Sequence, residues 1–215
     1  MIVTRKVFHL VLITFFFVLN SGLLFAETPL QFSWAVLTDT PEGQKALDFT
    51  EPTILSHGAT LQIYLEQKPG AYIYIYLIDS TGSLEFLFPG ERNFYSSITP
   101  TDRIVMIPAK PNRFELTPPG GQEKLHLMAS SSRLAGLEKL TAEYLKQPED
   151  PRRQAAVIQE IKHLKRQHSK LAQTTETSVQ VAGTVRSRGA LFDSFEVTKV
   201  NAQGFYSRIL RINHE

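Results

Sequence analysis

The chain has 215 residues, with 23 Lys/Arg against 21 Asp/Glu and a formal net charge of +2, a balance without the strong basic excess of a nucleic-acid binder. It contains no cysteine, which excludes disulfides, thiolate zinc sites and lipid attachment through a cleavage-site thiol. The length suits one domain, with or without an elaboration.

Residues 1–26 read as a secretory signal peptide. Arg5 and Lys6 form a positive start, residues 7–19 are an apolar run, and Ser21, Gly22 and Ala26 are small residues before a cut near Ala26. The run is shorter than the roughly 20 residues a spanning helix needs, and no later segment is long and apolar enough to span. The expectation is a mature chain without a transmembrane span, periplasmic or secreted. Its charge is uneven: residues 27–133 carry 8 Lys/Arg against 12 Asp/Glu, and residues 134–215 carry 13 against 9.

Phe32, Trp34 and Val36 alternate with Ser33, Ala35 and Leu37, which predicts a first strand; residues 38–52, with Pro41 and Gly43, predict a loop. Leu61, Ile63 and Leu65 predict a half-buried strand. Residues 71–79 place Ile73, Ile75 and Leu77 on one face and Tyr72, Tyr74 and Tyr76 on the other. A strand apolar on both faces is covered on both sides. The turn from Asp79 to Gly82 leads into Leu84, Phe86 and Phe88, completing a hairpin. Residues 103–107, 113–116 and 124–129 add short strands punctuated by Pro and Gly, a spacing that suggests a sandwich or barrel.

Residues 134–146 then read as a helix. Asp150 is a good N-cap and Pro151 suits the first position of a second helix reaching about Ala172. Val157, Ile158, Ile161, Leu164, His168 and Leu171 share one face of it, and Arg152, Lys162, His163, Arg166 and Lys170 cluster opposite, with Glu160 the one acid between Pro151 and Lys170. A polar linker is predicted over 174–178. Strands resume at 178–186, 194–200 and 205–212, with Asn201 to Gly204 as a hairpin turn. The expected fold is mainly β: an immunoglobulin-like β-sandwich with a helical hairpin insertion before the last strands. In residue terms this is 1–26 as signal peptide, 27–133 as the first part of the β domain, 134–173 as the insertion and 174–215 as the final strands.

The order of motifs in the stretch from Ile54 to Arg133 resembles a bacterial family, domain of unknown function 4384. The features are Gly58 before an extended strand, the Tyr-rich strand, the Gly82 turn, Leu87-Phe88-Pro89, a strand ending in Pro108, and Gly121-Gln122-Glu123 before a strand closing in Ala129-Ser130. Ala59 and Gly90 depart from the family's usual acid and Asn. The resemblance implies an extracytoplasmic β-rich accessory domain, found elsewhere beside caspase-like peptidases, protein kinases or envelope components. It brings no catalytic residues.

The residues themselves carry no catalytic motif either. The histidines are scattered, and His163 and His168 are not at the i, i+4 spacing of a zinc helix. No Gly-x-Ser-x-Gly and no phosphate-binding loop occurs. No cofactor and no metal site is expected. Two surfaces are candidate sites. Tyr64, Tyr72, Tyr74 and Tyr76 form an aromatic row that can stack on a sugar or peptide, unless the helices cover it. Arg152, Lys162, Arg166 and Lys170 form a basic helix face suited to an anionic partner, unless it is merely solvated. The expected function is an exported, non-catalytic binding or accessory module of the envelope or secreted fraction. Its partner is expected to be another envelope protein or a cell-wall or surface glycan, not nucleic acid. The alternatives are a cell-wall-active hydrolase of unrecognised type and a structural subunit of an envelope or secretion assembly.

Overall fold

The computed structural model describes residues 29–90, 94–96, 99–169, 174–182 and 194–215. The expected signal peptide, the helix residues after 169 and the segment 183–193 lie outside these.

The strands are β1 (Pro29–Thr40), β2 (Gly43–Ala46), β3 (Thr53–Leu55), β4 (Thr60–Gln67), β5 (Tyr72–Ile78), β6 (Leu84–Phe88), β7 (Arg103–Ile107), β8 (Phe114–Glu115) and β9 (Gly121–Ser130). Helices α1 (Ala135–Lys146) and α2 (Pro151–His168) follow, then β10 (Thr174–Ala182), β11 (Ser194–Gln203) and β12 (Phe205–His214). One sheet has the order β10-β11-β1-β4-β7, with β2 on β1 and β8 on β4; the other has the order β3-β12-β9-β5-β6. This is the immunoglobulin sandwich connectivity: β1, β4 and β7 take the A, B and E positions, and β5, β6, β9 and β12 the C, C′, F and G positions. β3 pairs parallel with β12, and the other pairings among the described strands are antiparallel.

The period-two pattern builds the core. Phe32, Trp34, Val36, Ile63 and Leu65 of the first sheet face Ile73, Ile75, Leu127, Tyr206 and Leu210 of the second, all buried. Register puts these side chains on the inner faces: Trp34 lies opposite Leu65, Val36 opposite Ile63, and Leu210 opposite Leu125. Packing α1 and α2 on the outer face of the second sheet makes a third layer. Val157, Ile161 and Leu164 of α2 are buried there with Leu137 and Tyr144 of α1. Asp150 caps α2 by accepting from Arg152 N at 2.9 Å. The helices thus sit where the apolar arc needs a surface.

Three local expectations are corrected. Within 38–52, β1 continues to Thr40 and turns into β2, because Thr40 Oγ1 donates to Gly43 O at 2.8 Å and Gly43 takes a positive φ. Residues 174–178 are strand, not linker: β10 pairs with β11 from Thr174 onward. Residues 201–204 do not close a hairpin. β11 pairs with β1 and β12 with β9, so the chain crosses between sheets at Gly204, whose φ is 67 and whose carbonyl accepts from Ser131 N at 2.8 Å.

Candidate functional site

The tyrosine row is not an open platform. Tyr74 and Tyr76 are 0% exposed and Tyr72 is half-buried. The Tyr74 hydroxyl donates to Glu138 Oε1 at 2.7 Å and accepts from Leu134 N at 3.0 Å, fastening the start of α1. Thr141 Oγ1 donates to Leu137 O, so the Tyr76 hydroxyl, 2.8 Å away, donates to Thr141. Glu138 is itself buried and is paired with Arg133. Burial and the Glu138 carboxylate push the Tyr74 phenol well above its ordinary pKa, and burial does the same for Tyr76. Tyr64 is not beside them. It lies on the outer face of the first sheet, against Phe195 and Val197. The apolar helix arc therefore takes the face that a ligand would have needed.

A further tyrosine has a structural use. β6 ends at Phe88, leaving the Ile73 backbone without a strand neighbour on that side among the described residues. Tyr95 fills the gap: its hydroxyl donates to Ile73 O at 2.9 Å and accepts from Ile73 N at 3.1 Å. A buried backbone pair needs such partners.

Of the basic helix residues, Arg152, Lys162 and Arg166 are exposed, and Lys170 lies outside the described residues. The structure joins part of this face to cations from the sheet. Lys124 of β9 lies directly opposite Arg211 of β12. Like charges facing across two strands are destabilising. Lys165 of α2 is half-buried, and burial followed by Arg211 lowers its pKa. Beneath them His126, 7% exposed, has no hydrogen-bond partner at either ring nitrogen among the described residues. Burial first, then Lys165, Lys124, Arg211 and Lys162, lower the His126 pKa to about 4. Among the described residues, none of Lys124, Lys162, Lys165 and Arg211 is ion-paired with a carboxylate. Such concentrated, unpaired charge favours an anion.

Sequence reasoning found Lys162 but missed Lys124, Lys165, Arg211 and His126. The pattern marks Lys124 and Arg211 as outward strand positions. Only the β9–β12 register sets one against the other. Lys165 sits at the edge of the α2 arc and looks merely solvated on a helical wheel.

No group of three or more His, Asp and Glu able to hold a metal ion occurs among the described residues. No described helix is long and apolar enough to cross a membrane. The family model described as "Domain of unknown function (DUF4384)" matches residues 55–133, which spans β4 to β9 and the loop into α1. No curated protein and no solved structure matches the chain.

Proposed function

With that family domain of unknown function as its central part, we propose that the protein is an exported, non-catalytic accessory module that docks an acidic partner protein in the cell envelope. The observation supporting this is a set of cations without an ion-pair partner among the described residues, Lys124, Lys162, Lys165 and Arg211, gathered over buried His126. An acidic surface relieves the mutual repulsion and supplies the missing counter-charges. The exposed side of α2 offers no large apolar residue, so it lacks the insertion groups of a membrane-lying helix. Export rests on the n-region, apolar run and small residues of 1–26.

Titration with poly-L-glutamate at low and moderate salt tests the docking surface. Binding should be saturable, weaken with salt and drop at least tenfold in the triple variant Lys124→Gln, Lys165→Gln, Arg211→Gln. Equal binding by the triple variant refutes this surface. Tight binding to anionic vesicles with none to polyglutamate replaces the protein partner with a lipid one. Export is tested by N-terminal sequencing of protein from outside the cytoplasm, where an intact Met1 on membrane-bound protein refutes it.

A further inference from the structure

We infer that β10 is the interface of a homodimer, its free edge pairing antiparallel with β10 of a second copy about Ser178. β10 pairs with β11 through an unbroken register of nine residues, Thr174–Ala182, and lies at the end of its sheet. Among the described residues no strand pairs with its other side, and residues 174–180 are all exposed. Such an edge presents a row of backbone N–H and C=O groups that templates another strand.

The fold shortens or blocks its other sheet ends. β3 has three residues. β6 has five and is followed by Pro89, and Tyr95 fills the place beyond it. β7 has five, opens on Arg103 and is followed by Pro108. β10 has none of these devices. Residues 174–182 hold no Lys, Arg, Pro or Gly, and their one charge, Glu176, is turned to Arg208 and the Tyr206 hydroxyl. Threonine and valine take five of the nine places, and both suit a pleated surface. Short length, charge and proline keep natural edges apart. A long edge without them is suited to pairing.

The strand complements its own copy. A two-fold axis through Ser178 overlaps the whole strand. It sets Glu176 opposite Gln180, and Thr177 opposite Val179, of the second copy. The acids are thereby held apart and each meets an amide. The Gln180 amide donates one N–H to Glu196 at 2.9 Å and has a second to give. The pairing also covers Val179, a large apolar residue left 42% exposed. An axis at Glu176 would set two carboxylates face to face, which is destabilising. An axis at Gln180 would overlap only residues 178–182. An axis between residues would oppose side chains from different faces of the sheet. The contact is isologous, so it closes as a dimer and does not propagate.

Sedimentation equilibrium of the mature chain, from micromolar to millimolar concentration, should show a reversible monomer–dimer step. Hydrogen exchange should slow at alternate amides of β10 as concentration rises, because every second N–H of an edge points outward. Two double variants test the register. Both carry Thr177→Glu, opposite Lys199 of β11. Adding Val179→Glu sets acid against acid across the dimer and should weaken association at least tenfold. Adding Val179→Lys instead sets acid against base and should keep association within a few-fold of wild type, which guards against a fold lost through Thr177→Glu. Equal association of the two variants overturns the Ser178 register. A monomer at every concentration overturns the dimer. Slow exchange at β10 independent of concentration would show an edge covered from within the chain, and overturns it too. None of these readouts depends on the basic surface or its acidic partner, so the two proposals fail separately.

Discussion

Tyr74 and Glu138, 64 positions apart, share a 2.7 Å hydrogen bond in a buried setting, and the same tyrosine oxygen accepts the Leu134 amide at the entry to α1. One phenol therefore ties the sheet to the helical hairpin twice. The row of tyrosines on β5 serves attachment of the third layer, not ligand stacking. The tie has a direct consequence. Tyr74→Phe leaves the Leu134 amide without its acceptor and removes a donor from a buried carboxylate. It should cost about 1–3 kcal/mol in urea melts. A loss near zero would mean that the helices dock through apolar contacts alone.

Ile75 is 0% exposed at the centre of the sandwich core. Ile75→Ala should lower stability by roughly 2–5 kcal/mol, because neighbours collapse only partly around the missing atoms. Denaturant unfolding measures it, and a loss below about 1 kcal/mol would contradict a tightly packed core at that point.

Ile161 is 1% exposed beneath α2. Ile161→Asp should detach or unfold the hairpin, since an unpaired carboxylate is not buried cheaply. Limited proteolysis should then cut within 134–169 while the sandwich survives. Unchanged protease resistance would show that α2 does not depend on this contact.

His126 makes stability pH-dependent. Its folded-state pKa is lowered from 6.5 to about 4, by burial first and then by Lys165, Lys124, Arg211 and Lys162. The unfolded chain therefore binds the proton more readily. The His126 contribution is fully present above 6.5 and is lost as pH falls towards 4, amounting to on the order of 3 kcal/mol. His126→Leu should flatten that part of the acid limb. Parallel acid limbs for the two proteins, in urea melts across this window, would rule out a neutral buried imidazole.

The cation cluster makes the opposite prediction from an ordinary ion-pair network. Because Lys124 and Arg211 face each other with no ion-pair partner among the described residues, added salt should stabilise the wild type by screening their repulsion. The triple variant Lys124→Gln, Lys165→Gln, Arg211→Gln should be as stable or more so, and less responsive to salt. A triple variant destabilised by more than about 1 kcal/mol would mean the cations hold the fold together.

The elements with strong periodicity were legible in the sequence. Alternation put Phe32, Trp34 and Val36 on one face of a strand, and Ile73 and Ile75 together on one face of another, because strand geometry sends successive side chains to opposite sides. The 3.6-residue period likewise put Val157, Ile161 and Leu164 on the buried side of α2 and Arg152, Lys162 and Arg166 outside. The ordered motifs of residues 55–133 identified the family segment.

What only the tertiary structure decided are the relations between strands remote in sequence. Alternation cannot say that β11 and β12 part company at Gly204, because both continuations satisfy the same local pattern. It marks Lys124 and Arg211 as outward but not as facing each other, since register is a property of two strands joined across 87 positions (211 minus 124). Nor can it show Tyr95 completing the edge of β5, or the carboxylate of Glu123 meeting His214, 91 residues away. Local sequence determines which way a side chain faces; which surface it then meets depends on closing long loops, and the packing of the whole sandwich settles that.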